Sequence, residues 1–295
     1  MKAKNHTEAP RPYPVSKLAD ARNRAFYQEG QHDPAKPVHA AYRHHFSKPG
    51  SSIRGDLAYQ VALRLELSEE DAITLAATVE CLHNASLVLD DLQDGTAIRR
   101  GQGSVFSCYG AATAQGLTNC LVTASFVSLS EFSQTNLLPF LIQKVNEAVA
   151  ETVHGQTDEL LNNPAGRDLN RHLRASMRKT GPLFGLAVEL PLIAAGAKGQ
   201  LKEARHASYC FGLAYQIADD LADREQDASG ADHGNIALML GRGPELKGES
   251  PAALQLTHSL LKQTQDYAAK LPESSGFPLF DLATKLSLKM EQAYT

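Results

Sequence analysis

Two carboxylate clusters of identical spacing, Asp90-Asp91-Leu92-Gln93-Asp94 and Asp219-Asp220-Leu221-Ala222-Asp223, each close a strongly apolar segment, LHNASLVL and FGLAYQIA. Apolar residues before the first cluster recur at helical spacing, with Leu75, Val79, Leu82 and Leu89 on one stripe. In a helix, the first and fifth acids of each cluster stand one turn apart on one face, where like charges repel. Anions at the end of an apolar helix are costly to desolvate unless something positive joins them. A chain carrying this arrangement twice is constrained to build helices that bring acids to a cation.

The same helical period runs through 106–131, 136–161, 170–197 and 201–226, and two further helices are expected over roughly 252–270 and 277–293. Short punctuation such as Asn162-Asn163-Pro164 and Gly181-Pro182 separates them, and no strand, hairpin or solenoid repeat is evident. The prediction is an all-α, multi-helix bundle. Residues 1–48, rich in Pro, His and charge, read as an N-terminal arm with one short helix around Lys17 to Glu29; residues 49–295 read as a single all-α domain. The Gly-rich stretch from Ser229 to Pro251 reads as a loop flanking a short helical piece.

A length of 295 residues with 43% hydrophobic and 21% charged side chains fits a globular chain. The net charge of −4 provides no basic field for a nucleic-acid backbone. Cys81, Cys108, Cys120 and Cys210 show no CxxC spacing and read as packing thiols in a reducing compartment. The most apolar stretch, Gly185 to Ala197, is broken by Glu189 and Pro191, and the first residues lack the apolar core of a signal peptide. A cytoplasmic protein without a membrane span is expected.

Hard divalent cations stabilise carboxylate clusters best, and Mg2+ favours a few carboxylates completed by water and phosphate oxygens. The implied ligand is a polyphosphate held between two acidic walls. Arg99 and Arg100 follow the first cluster, and Lys179-Thr180 offers an ammonium and a hydroxyl, all suited to phosphate. His83 stands on the acidic face seven positions before Asp90, and Gln216 three before Asp219.

These residues resemble the trans-isoprenyl diphosphate synthase (polyprenyl synthetase) family, from about Pro49 to the last helix. The resemblance rests on Glu80-Cys81-Leu82-His83 leading through Ser86-Leu87 to DDLQD, on Arg99-Arg100-Gly101, on Gly155-Gln156 with Asp158, on Lys179-Thr180-Gly181-Pro182-Leu183-Phe184, and on Tyr215-Gln216-Ile217-Ala218 leading to DDLAD. It implies the isoprenoid synthase type I fold around a deep central cavity, usually as a homodimer. The implied chemistry is Mg2+-dependent ionisation of an allylic diphosphate and condensation with isopentenyl diphosphate to a longer trans-prenyl diphosphate. By the same resemblance, Asp90, Asp91, Asp94, Asp219, Asp220 and Asp223 form the metal set for three Mg2+ ions, with Asp90, Asp94 and Asp219 as direct ligands. Arg99, Lys179 and Gln216 would hold the allylic diphosphate, with Thr180 beside them; Lys179, Thr180 and Gln216 form the catalytic group. Arg54, His83 and Arg100 match the acceptor diphosphate pocket.

The chain departs from the family where Ser51 and Ser52 occupy the usual Lys-Arg positions, removing a cation from the acceptor pocket. Gly103 stands where proline is usual, and the loop DREQDASGADHGN lacks a lysine. In the family, aromatics at the positions of Ala85 and Ser86 stop chain growth; these small residues imply products of C15 to C20 or longer. Three other readings stay open at this point: the same fold serving a different acceptor, a class I terpene cyclase, suggested by Asp219, Asp223 and Asp227, or a degenerate subunit that binds prenyl diphosphates without turnover.

Overall fold

The computed structural model describes residues 12–27, 33, 35–48, 50–161, 168–223, 235–241 and 251–294. Asp227 and most of the Gly-rich loop therefore lie outside the described residues. The chain divides into two compact units, Met1–Ile142 and Gln143–Thr295.

In the first unit, α1 (Val15–Tyr27), α2 (Pro37–Phe46), α3 (Ile53–Arg64), α4 (Glu69–Asp94) and α5 (Val105–Ser130) pack together, with α4 at the centre. Ser68 opens α4 by accepting from the Asp71 amide, and Glu69, Glu70 and Asp71 place negative charge on its positive end. Gly95 closes it at φ 67°, a left-handed conformation that glycine adopts without strain. Leu75, Ala76, Val79, Cys81 and Leu82 are buried on several sides of α4, so the helix lies inside the unit rather than on its surface. By length and composition α4 is apolar enough to cross a membrane; 78% of its apolar window is buried within the protein.

The segment read as an arm contributes two helices. α2 buries Ala41 and Tyr42 against α5, and Phe26 of α1 stacks on Tyr42 at 3.9 Å. Burying such rings is worth roughly 1.5–3 kcal/mol each, enough to seat a segment whose composition is otherwise polar. A second difference is a small antiparallel hairpin, β1 (Ile98–Arg99) with β2 (Gln102–Gly103), between α4 and α5. Two-residue strands carry no alternating pattern, so the sequence held no signal for them. Of the four cysteines, Cys81 and Cys210 are buried, whereas Cys108 and Cys120 are exposed rather than packed.

The second unit contains α6 (Leu138–Leu161) from Gln143 onward, α7 (Leu169–Ala194), α8 (Leu201–Ala222), α9 (Ile236–Leu240), α10 (Pro251–Ala268) and α11 (Phe277–Tyr294). α8 is its hub, flanked by α7 and α10. Two glycines set the α7–α8 crossing: a Cβ on Gly212 would stand 3.0 Å from Gly181 Cα, and one on Gly181 would stand 2.8 Å from the Tyr209 ring. Gly155 does the same for α6, since a Cβ there would overlap the Lys179 amide nitrogen. The Gly155 and Gly181 motif residues thus bring backbones together and fix where Lys179 begins.

Candidate active site

The first acidic cluster occupies the last turn of α4. Because each residue turns by about 100°, neighbouring acids cannot share an environment. Asp94 is exposed and Asp90 half-buried, on one face, whereas Asp91 is only 1% exposed. Its Oδ2 accepts from Arg99 Nε at 2.7 Å. The second cluster divides in the same way. Asp219 and Asp223 are exposed, while Asp220 is buried and accepts from Gln216 Nε2 at 2.8 Å and from the Ile236 amide at 2.7 Å. The Asp220 carbonyl also receives Asn235 Nδ2 at 2.6 Å, and Asn235 Oδ1 caps α9. In both copies the second acid therefore holds the next piece of chain, and the first and fifth acids face outward.

Arg99 and Arg100 are placed by the hairpin. Arg100 and Gly101 form its two-residue turn with φ of 54° and 71°, both in the left-handed region. Glycine or asparagine suits such a turn best, so arginine at its first position is a strained choice. The Arg100 guanidinium lies against Gly50, where any Cβ would overlap it, and its Nη2 reaches Asn84 Oδ1 at 3.5 Å.

Arg54 and His83 meet at 3.4 Å between Nη1 and Nε2. Burial, followed by the charges of Arg54 and Arg100, holds the His83 imidazole well below its usual range. Burial likewise pushes the His45 imidazole down to about 4, and pushes the Glu80 carboxyl up. At neutral pH the two histidines are accordingly neutral, and the guanidiniums carry the positive charge of this cluster. The three residues expected for the acceptor diphosphate thus come together within one unit.

In the second unit, Lys179 Nζ pairs with Glu159 Oε2 at 2.8 Å, and neighbouring Arg178 pairs with Asp158 at 3.0 Å. Thr180 is buried, and Gln216 is half-buried on α8 with its amide turned to Asp220. Among chain-length candidates, Ser86 stands one turn before Asp90 and is half-buried. Ala85 is instead packed into the core with Tyr42, Leu117 and Leu121.

Sequence reasoning missed His45, Asn84, Gln102 and Asn235 as polar anchors of the site. Asn84 had a readable signal, a polar side chain on the buried stripe of an apolar helix. His45 had none, because only the packing of α2 brings it inside.

Residues 35–234 match the family model described as polyprenyl synthetase, a match that begins just before α2. The chain belongs to the polyprenyl synthetase family. Over 262 residues it is 30% identical to the geranylgeranyl diphosphate synthase of Pantoea ananas, covering 82% of this chain and 84% of that one. Over 228 residues it is 27% identical to the octaprenyl diphosphate synthase of Haemophilus influenzae, covering 76% and 65% respectively. Among solved structures, the geranylgeranyl pyrophosphate synthetase of the archaeon Geoglobus acetivorans superposes with a TM-score of 0.76 at 20% identity, over 92% of this chain and 98% of that one. A decaprenyl diphosphate synthase from Rhodobacter capsulatus does so with 0.76 at 20%, over 93% and 97%. At such identity the structural likeness establishes the fold, the all-α isoprenoid synthase fold. As a polyprenyl synthetase, the chain is a trans-prenyltransferase of the chain-elongating kind.

Proposed function

We propose that this polyprenyl synthetase condenses an allylic prenyl diphosphate with isopentenyl diphosphate, with Mg2+ held by Asp90, Asp94, Asp219 and Asp223. The observation that carries the reading is the shared division of the two acid clusters, outward first and fifth acids and a buried second acid. The donor set fits the ion: each outward pair supplies carboxylate oxygens on one helix face, leaving other positions for water and phosphate, as Mg2+ prefers. Three ions are expected. When bound, they stabilise negative charge on the departing diphosphate. Asp91 and Asp220 act one step back, as anchors of Arg99 and of α9.

Arg99, Lys179 and Gln216 bind the allylic diphosphate, with Thr180 beside Lys179. Lys179, 2.8 Å from Glu159 Oε2, exchanges that carboxylate for the incoming diphosphate, whose oxygens make charge-assisted contacts of the same kind. As the allylic carbon–oxygen bond breaks, its electron pair stays on the diphosphate, where Arg99 and Lys179 offset the charge. Arg54, His83 and Arg100 hold the second diphosphate, so that the isopentenyl alkene attacks the allylic cation. The proton then lost from carbon passes to the released diphosphate. The small Ser86 side chain supports products of C15 to C20 or longer. Exposed Val153, Leu160 and Leu161 on α6 support a homodimer, and a cytoplasmic location completes the reading.

A second reading, transfer to another acceptor, is motivated by Ser51 and Ser52 at the entrance to α3. One assay separates the two. Pure protein is incubated with Mg2+ and farnesyl diphosphate, with and without isopentenyl diphosphate, and products are read by mass spectrometry. An elongated diphosphate is expected; turnover only with a different acceptor, a cyclic hydrocarbon, or no turnover would overturn it.

A further inference from the structure

The last turn of α2 touches the acceptor cluster through two adjacent histidines. His44 Nε2 lies 2.7 Å from the Gly103 carbonyl, and the His44 carbonyl accepts from Gln102 Nε2 at 2.8 Å. Ser47 Oγ donates to Gln102 Oε1 at 3.1 Å. The return strand of the arginine hairpin is thereby fastened to α2.

His45, one residue on and 5% exposed, turns instead to α4, with Nε2 2.9 Å from Asn84 Oδ1. Asn84 is 2% exposed and donates Nδ2 to the Glu80 carbonyl at 2.8 Å and to Glu80 Oε2 at 3.4 Å. With Nδ2 committed to two acceptors, the amide presents Oδ1 to His45, which makes Nε2 the protonated ring nitrogen. That same Oδ1 lies 3.5 Å from Arg100 Nη2, and the guanidinium lies against Gly50. Glu80 Oε1 accepts from the amide of Gly55, the residue after Arg54.

We infer that Asn84, oriented by His45, is a positioning residue of the acceptor pocket, holding the Arg100 guanidinium in its binding direction before the second diphosphate arrives. The inference rests on the reading of Arg54, His83 and Arg100 as that pocket. An arginine on a two-residue turn has many rotamers to lose on binding, and a neutral hydrogen-bonded amide removes them without competing for its charge. With serines at 51 and 52, the direction of the remaining guanidiniums carries more of the recognition.

The test uses the full chain with His45→Leu, His45→Gln, Asn84→Ala and Arg54→Ala, each monitored by thermal melting. His45→Leu and Asn84→Ala are expected to raise KM for isopentenyl diphosphate by roughly tenfold, the loss of one oriented charge-assisted contact, and leave KM for the allylic diphosphate within about twofold. His45→Gln, which keeps a donor toward Asn84, is expected to restore the wild-type value. Because Asn84→Ala also removes a donor from buried Glu80, the two His45 variants decide the matter if it fails to fold. Parallel changes in both KM values, no change in His45→Leu, or equal damage from Gln and Leu would overturn the inference. If Arg54→Ala leaves KM for isopentenyl diphosphate unchanged, the pocket assignment itself fails, and the inference with it.

Discussion

Arg99 Nε lies 2.7 Å from Asp91 Oδ2, joining strand β1 to the last turn of α4 through a carboxylate that is 1% exposed. This pair sets Asp91 apart from Asp90 and Asp94 in environment. Removing the cation from a buried carboxylate is costly, so Arg99→Ala is expected to destabilise the fold by roughly 2–3 kcal/mol at pH 7, measured by urea unfolding. Asp91→Asn keeps an acceptor for Arg99 and is expected to cost about 1 kcal/mol.

Metal dependence provides the complementary comparison. Replacement of Asp90, Asp94, Asp219 or Asp223 by Asn is expected to raise the Mg2+ concentration for half-maximal activity and lower kcat by about three orders of magnitude, as loss of charge stabilisation at the leaving group does elsewhere. Asp91→Asn is expected to leave the Mg2+ midpoint near wild type. An equal shift for Asp91→Asn would return that residue to the metal set.

Chain length is best probed at Ser86. Ser86→Phe places a ring one turn below Asp90 and is expected to shift products to shorter prenyl chains by mass spectrometry, with little loss of stability. Ala85→Phe inserts the same ring among Tyr42, Leu117 and Leu121, and is expected to cost about 1–3 kcal/mol by overpacking. Unchanged product length in Ser86→Phe would remove that residue from the chain-length set.

Acid stability follows from His45. Its folded pKa of about 4 lies below the unfolded value of 6.5, so the unfolded state binds the proton more readily. Its contribution is fully present above pH 6.5, declines as pH falls, and is lost near pH 4. The loss is on the order of 3 kcal/mol, with His83 adding to it in the same direction. His45→Gln is expected to flatten the fall in chemical-denaturation midpoint between pH 6.5 and 4; an unchanged slope would assign the titration elsewhere.

The sequence by itself determined the helical class, the bounds of α5 to α8 within a few residues, and the identity of both acid clusters. These properties are local: a 3.6-residue period, a cap and a repeated spacing each act within a few turns of chain. Tertiary structure alone decided that Asp91 and Asp220 turn inward, that α2 packs its Ala41–Tyr42–His45 face into the core, and that His45 and Asn84 stand behind Arg100. Each of these depends on which distant side chains exclude water from a polar group, and that desolvation is set by packing rather than by neighbours in sequence. The Arg100 turn marks the boundary between the two. Its local preference favours glycine or asparagine, whereas the arginine found there lays its guanidinium against Gly50 and 3.5 Å from Asn84 Oδ1.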